Sequence, residues 1–198
     1  MPRPRAADYD EKRQALLDTA AALFAERGFA RTSMGAIADA CGASKAWIYH
    51  YYPSKESLLE DMLVAHVARL REAGTVALGA GASPEAQLRA LLRAMMRIYA
   101  RSGAKHIVLL SDLGVLPEGP QAQIVAAQRE VVSLFGGLVG ALAPEAPRAA
   151  TTMALLGMIN FTYTWFDPDG PLDPEAYADL VADLFLRGVG QAGGGERP

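Results

Sequence analysis

The chain has little of the chemistry that disulfides, metal sites and many enzyme centres require. Its 198 residues include one cysteine, Cys41, and three histidines, His50, His66 and His106. A single cysteine excludes an internal disulfide and a four-cysteine zinc site, and it suits a reducing compartment. The histidines have no metal-ligand spacing to one another, so we expect no metal. We interpret Cys41 as a small buried apolar side chain.

Segments that direct a protein to a membrane are also missing. The N-terminus, MPRPRAADYDEKR, is basic and then acidic, without the apolar core of a secretory signal. Residues 149–166 come nearest to a membrane span, but they carry four threonines and an asparagine and barely reach spanning length. Nucleophile elbows, His-Glu zinc motifs and phosphate-binding glycine loops are absent too. We therefore expect a cytoplasmic protein that is not an enzyme, holds no cofactor and binds no membrane.

What is present is helical patterning and an uneven distribution of charge. Apolar residues recur at helical spacing almost throughout, which predicts an all-α fold of about nine helices. The formal net charge of −3 divides into +2 for residues 1–55 and −5 for residues 56–198. We predict an N-terminal three-helix domain at residues 1–55 and a larger helical domain at residues 56–190. Residues 191–198 are predicted to be a disordered tail.

Residues 33–52 have the pattern of a helix-turn-helix. A helix of about eight residues meets Gly42-Ala43-Ser44, and the aromatic stretch SKAWIYHYYPSK follows. The spacing turns Ile48 and Tyr52 toward the core. The outer face then carries Lys45, Ala46, Tyr49 and His50, with Trp47 and Tyr51 to the sides. Such a face suits a DNA major groove. Helical spacing taken alone favours the other interpretation, in which Tyr49 and His50 pack against the next helix.

At these residues the sequence resembles the TetR family of bacterial transcriptional regulators. LFAERGFARTSMGAIADACGASKAWIYHYYPSKESLL holds nearly every element of the family's N-terminal pattern. The resemblance implies base contacts from Lys45, Ala46 and Tyr49. We also expect Ser33 and His50 to contact DNA. Backbone contacts are implied for a further group: Thr32, Ser44, Trp47, Tyr51 and Lys55, with Arg3 and Arg5 in a flexible arm.

Two departures from the family pattern fall within the second helix. Ala46 and Trp47 occupy positions where the family more often has glycine and threonine. Tyr52 stands where phenylalanine is usual, a mild change if the hydroxyl finds a partner.

The larger domain is expected to form a homodimer and to hold an effector. A symmetric dimer places two recognition helices about one DNA turn apart, roughly 34–36 Å. The resemblance implies a four-helix bundle between the two copies, built by the last two long helices. We expect its interface at Trp165, Tyr177, Leu180, Leu184 and Phe185. An adaptable pocket is expected among apolar side chains and one amide: Met95, Met96, Tyr99, Leu109, Leu113, Phe135, Met158, Asn160 and Phe161.

The predicted function is a ligand-responsive repressor whose homodimer binds a palindromic operator and is released by a small apolar effector. The C-terminal stretch TYTWFDPDGPLDPEAYADLVADLFLRG resembles that of TetR relatives that sense acyl-CoA thioesters. An acyl-CoA is therefore the expected effector, with cations for its phosphates available on the fifth and following helices: Arg89, Arg93, Arg97 and Lys105. Two alternatives remain open. One is a helical enzyme or carrier of an apolar metabolite, whose N-terminal helices are structural only. The other is a DNA-binding factor without a working pocket.

Overall fold

The computed structural model describes residues 4–192, with side chains described for residues 9–189. This part of the chain is helical and contains no strand, which confirms the predicted all-α class. Arg3 and the side chain of Arg5 lie outside the described part. So does most of the predicted tail, although α-helical backbone extends to Ala192.

Eight α-helices and two short 3-10 helices make up the described chain. The α-helices are α1 (Pro4–Arg27), α2 (Met34–Ala40), α3 (Lys45–Tyr51), α4 (Lys55–Ala80), α5 (Pro84–Ser111), α6 (Glu118–Leu142), α7 (Arg148–Asn160) and α8 (Pro174–Ala192). The 3-10 helices span Leu113–Val115 and Phe161–Thr164. The count is one below prediction because α5 continues through a kink at Ser102 (φ −135°, ψ 31°), where two separate helices were expected.

The chain divides into two compact units. Unit 1 comprises Met1–His66 and Ala104–Ile124, and unit 2 comprises Val67–Gly103 and Val125–Pro198. These boundaries follow packing and fall inside α4, α5 and α6. The functional boundary between residues 55 and 56 stays a prediction.

Unit 1 is built around apolar side chains of its first four helices. Leu16 and Phe24 of α1, Ile37 of α2 and Ile48 of α3 are all buried. Sharp turns bring these short elements together, because Gly28 and Gly42 take positive φ angles of 82° and 62° after α1 and α2.

Unit 2 packs parts of α4, α5 and α6 with α7 and α8. Its core includes Leu91, Phe135 and Leu155. Helix α4 lies close to its neighbours at Gly74, where an added Cβ would come within 2.6 Å of the Leu134 side chain on α6.

Helix α6, and not the stretch around α7, is long and apolar enough to cross a bilayer by length and composition. Length and composition do not by themselves place this helix in a bilayer, because a core helix of a soluble protein can have the same length and composition.

Candidate nucleic-acid interface and effector domain

Two serine caps begin the short helices of the helix-turn-helix. The Ser33 hydroxyl accepts a hydrogen bond from the Ala36 amide at 3.1 Å, and the Ser44 hydroxyl accepts one from the Trp47 amide at 3.2 Å. Both serines are exposed. Each hydroxyl therefore satisfies a helix amide and keeps its own proton to donate outward. At the end of α2, Cys41 is half-buried, so it is less enclosed than predicted.

Helix α3 turns two faces to different surroundings. Ile48 and Tyr52 are buried, whereas Tyr49 is 51% exposed. Lys45, Ala46 and His50 are exposed beside Tyr49. The predicted inner and outer faces of this helix are therefore confirmed, while the DNA contacts remain predictions.

Trp47 and Tyr51 form an aromatic cluster at the side of α3, with His50 against it. The Trp47 and Tyr51 ring centroids are 4.8 Å apart, and His50 meets Tyr51 edge-on at 5.5 Å. Tyr9 of α1 stacks on Tyr51 with 4.7 Å between centroids. Sequence reasoning missed Tyr9, because it precedes the recognisable motif and only the fold of α1 brings it to α3.

Lys45 extends over the first turn of α2. A Cβ atom added at Gly35 would lie 2.7 Å from Lys45 Cε and 3.2 Å from its Nζ. The absence of a side chain at Gly35 thus leaves the space in which this cation lies at the edge of the outer face.

Thr32 is placed differently from the expectation that it contacts the DNA backbone. It is 1% exposed, and its hydroxyl donates to the carbonyls of Gly28 at 3.0 Å and Leu23 at 3.3 Å. A buried hydroxyl already engaged with carbonyls does not reach a phosphate. We correct its role to fixing the turn between α1 and α2.

Lys55 is also engaged within the protein. Its ammonium donates to the carbonyls of Phe29 at 2.6 Å and Thr32 at 2.7 Å, and it lies 4.1 Å from the centroid of the Phe29 ring. Two of its three donors are therefore used to hold the α1–α2 turn. One donor remains, and the expected contact of Lys55 with the DNA backbone stays a prediction.

The unusual Tyr52 has the hydroxyl partner that its position requires. Its hydroxyl donates to Asp61 of α4, which also accepts from Arg13 of α1. Burial, and then the bond to Asp61, raise the pKa of Tyr52. Tyr52 thus ties the end of α3 to both neighbouring helices, which a phenylalanine cannot do.

Most of the predicted pocket residues lie in the core. In unit 2, Met95, Met96 and Phe135 are fully buried. Tyr99, which is close to the two methionines in sequence, is also buried, and its hydroxyl donates a 2.9 Å hydrogen bond to the Asn160 side chain. Burial raises the pKa of Tyr99, so it stays a neutral hydrogen-bond donor.

Four predicted pocket residues are not enclosed, and two of the nine belong to the other unit. Phe161 is 61% exposed and Met158 is exposed, whereas Asn160 and Leu113 are half-buried. Leu109 is buried but, like Leu113, belongs to unit 1. Phe161 is exposed because α7 ends at Asn160, so the helical register expected for it does not continue.

The four cations proposed for a ligand's phosphates are all in ion pairs. Arg89, Arg93 and Arg97 of α5 pair with Asp183, Asp179 and Glu175 of α8 at 2.5, 2.6 and 3.1 Å, which forms an antiparallel α5–α8 ladder. Lys105 pairs with Asp18 at 2.6 Å within unit 1. These cations therefore hold helices together, and a phosphate would have to compete with carboxylates for them.

The predicted dimer residues separate into exposed and buried groups. Leu184 is 56% exposed, and Trp165 and Leu180 are also exposed. Phe185 is buried in its own unit, and Tyr177 is half-buried with its hydroxyl donating to the Met158 carbonyl at 2.7 Å. The exposed three are thus the most accessible to a second chain.

An apolar face on α7 and α8 surrounds Leu184. We define it by the exposed side chains that line a groove of about 370 Å³: Ala150, Ala154, Met158 and Leu184. Small residues on α7 permit close approach of another helix.

A second groove, of about 320 Å³, lies between α4 and α5 within unit 2. Its lining combines Arg69, Glu72 and Arg97 with the apolar side chains Val76 and Ile98. Arg97 also pairs with Glu175, so Arg69 is the cation of this groove that lies outside the α5–α8 ladder.

Two family models match the chain. The model described as "Bacterial regulatory proteins, tetR family" matches residues 16–62, and that described as "Tetracyclin repressor-like, C-terminal domain" matches residues 81–189. The HTH-type transcriptional repressor KstR2 of Mycolicibacterium smegmatis is 25% identical over 190 residues, covering 92% of this chain and 93% of the relative.

Solved structures agree with these matches. A TetR-family transcriptional regulator from Bordetella parapertussis superposes with a TM-score of 0.84 at 37% identity, over 88% of this chain and 93% of that one. AibR, solved in complex with isovaleryl coenzyme A and operator DNA, superposes with a TM-score of 0.76 at 30% identity, over 88% of this chain and 98% of that one. With both parts of the chain matched, the protein belongs to the TetR family of bacterial transcriptional regulators.

Proposed function

We propose that the protein is a homodimeric repressor that reads a palindromic operator with α3 and releases it when an acyl-CoA-type effector binds unit 2. The observation that carries this proposal is the outer face of α3, where Lys45, Ala46, Tyr49 and His50 are exposed on a helix capped by Ser44. An operator reader works on DNA, so we place the protein in the cytoplasm.

Base contacts are proposed for Lys45, Ala46 and Tyr49. Lysine donates to guanine acceptors, and apolar or aromatic edges pack on thymine methyls in the major groove. Ser33, Ser44, Trp47, His50 and Tyr51 are proposed to meet the flanking backbone, since phosphate contacts orient the protein without reading sequence.

Operator binding by the parent chain is the direct test. DNA from upstream of the protein's own gene is titrated at low salt, with fluorescence anisotropy as the readout. Tyr49→Ala is expected to weaken binding by about 5- to 150-fold per half-site, the range for one good base contact. Tyr163→Ala, at an exposed tyrosine of unit 2, is the matched control. Unchanged binding by both Tyr49→Ala and Lys45→Ala would refute the assignment of this face.

A second copy of the chain is the proposed occupant of the apolar face on α7 and α8. A two-fold operator requires two reading helices, and an exposed apolar cluster of this kind indicates an association surface. Leu184→Glu is expected to convert the dimer to a monomer in sedimentation equilibrium, because it buries an unpaired charge at the interface. Leu110→Glu, at an exposed leucine of unit 1, is the matched control. A monomeric parent would contradict the proposal.

For the effector, an acyl-CoA thioester is proposed because AibR was solved with isovaleryl coenzyme A. The groove between α4 and α5 offers Arg69, beside Glu72, together with apolar side chains, and Met95 and Met96 provide an adaptable core nearby in sequence. An effector with unequal affinity for two dimer states would weaken operator binding by about 5- to 150-fold.

Thermal shift with isovaleryl-CoA, free coenzyme A and isovaleric acid tests the effector. A ligand of the folded state raises the melting temperature as its concentration exceeds Kd. We expect the thioester to give the largest shift, and Arg69→Gln to reduce that shift without affecting operator binding. If the thioester shifts melting no more than free acid does, an acyl-CoA effector is refuted.

A further inference from the structure

The aromatic cluster beside α3 includes a residue from outside the helix-turn-helix. Tyr9 of α1 stacks on Tyr51 at 4.7 Å with 26° between ring planes, and its ring meets His50 edge-on at 6.5 Å. Tyr51 in turn contacts Trp47 at 4.8 Å. A continuous line of rings therefore runs from the start of α1 to the first turn of α3.

Helix α3 provides few contacts of its own that hold its outer side chains in one rotamer. It is seven residues long, and Ile48 is its one buried side chain. Trp47 and Tyr51 are only half-buried, so their rotamers depend on the rings around them. Offset stacks and edge-on pairs at these separations are favourable arrangements. Tyr9 supplies a stacked ring on Tyr51 from outside α3.

We propose that Tyr9 is a positioning residue for operator reading: its ring holds Tyr51, and through Tyr51 Trp47, in the arrangement that meets DNA. Side chains ordered before binding do not have to be immobilised during binding, so the ordered cluster raises affinity. This inference rests on the proposed function, because Trp47 and Tyr51 are proposed to contact the DNA backbone. Tyr9 lies outside residues 16–62, which match the family's DNA-binding model.

The first test compares operator affinity and melting temperature for Tyr9→Phe, Tyr9→Leu and the parent chain. Tyr9→Phe keeps the ring and is expected to bind like the parent. Tyr9→Leu keeps apolar bulk without a ring and is expected to weaken binding by about 2- to 12-fold per half-site, the range for one aromatic pair. Tyr9→Leu also removes this pair from the free folded chain, so a small fall in its melting temperature is expected, and affinities are compared well below the melting temperature of every variant.

A double-mutant cycle separates positioning from direct contact with DNA. If Tyr9 acts through Tyr51, Tyr9→Leu should cost no further affinity in a Tyr51→Leu chain. If Tyr9→Leu still causes its full loss of operator affinity in the Tyr51→Leu chain, Tyr9 itself contacts DNA and the proposal is overturned. The same conclusion follows if Tyr9→Phe weakens binding as much as Tyr9→Leu does. Unchanged binding by Tyr9→Leu in the otherwise parental chain would overturn it as well.

A readout without DNA distinguishes failure of this inference from failure of the proposed function. The chain has two tryptophans, so Trp165→Phe leaves Trp47 as the single emitter. In that series, Tyr9→Leu is expected to increase acrylamide quenching of Trp47, whereas Tyr9→Phe is not. Unchanged quenching refutes the positioning role even if no operator is found. If Tyr9→Leu increases quenching but the parent chain binds no operator, the contact of Tyr9 with the rings of α3 is established and the proposed repressor function is refuted.

Discussion

Lowering the pH from 7 to 5 is expected to destabilise the protein through one buried histidine in unit 1. His106 of α5 is buried, and its Nδ1 lies 3.5 Å from Nε2 of His66 on α4, which is also buried. Burial penalises the charged imidazolium and lowers the pKa of His106 from 6.5 to about 4.

The sign and size of the effect follow from the two pKa values. Between pH 6.5 and about 4, the unfolded chain binds a proton at residue 106 that the folded chain does not. Stability that is present above pH 6.5 is therefore lost as the pH falls through this window. At about 1.4 kcal/mol per pKa unit, His106 should cost about 2 kcal/mol at pH 5 and about 3 kcal/mol at pH 4.

Urea unfolding at pH 7 and pH 5 measures this loss. Protein concentration is held constant, because dissociation of a dimer makes apparent stability concentration-dependent. The parent is compared with His106→Gln, which removes the titrating group, and with His50→Gln, the same change at an exposed histidine. His106→Gln should lose about 2 kcal/mol less than the parent between the two pH values. Equal losses from the parent and His106→Gln would refute the reasoning.

Three further changes have expected outcomes. Lys55→Met removes two hydrogen bonds to carbonyls and a contact with an aromatic ring, and should lower the free energy of unfolding by about 2 kcal/mol in urea; an unaltered midpoint would contradict its structural role. Gly35→Ala should displace the Lys45 side chain and weaken operator binding while melting stays unchanged or rises, since alanine favours a helix; parental affinity would argue against Lys45 at the interface. Arg93→Gln breaks a two-bond pair with Asp179 and should cost about 1 kcal/mol at low salt and less at high salt, measured by thermal melting; a salt-independent loss would indicate packing instead.

Much of the helix-turn-helix was predictable because the caps, glycines and apolar spacing that specify it lie within a few residues of one another. Ser44 caps α3 within three residues, and Gly42 takes a backbone conformation that few other residues adopt. The four-residue spacing of Ile48 and Tyr52 assigned the buried face of α3 without knowledge of the neighbouring helices.

Errors arose where a side chain's role depends on what lies beside it. Thr32 looks available for phosphates in the motif, but its partners are carbonyls at the end of α1 and in the following turn. Phe161 looks like a core residue on a continuous helix, but α7 ends before it.

Periodicity, caps and the family motif therefore determined the all-α class, the helix-turn-helix and the two sides of α3, because these depend on residues a few positions apart. Tertiary structure alone decided that the arginines of α5 pair with acids about 90 positions away on α8, and that Tyr9 joins the rings of α3. The reason is physical: a charge or a ring acquires its role from the group placed against it, and that group is chosen by the packing of the whole fold.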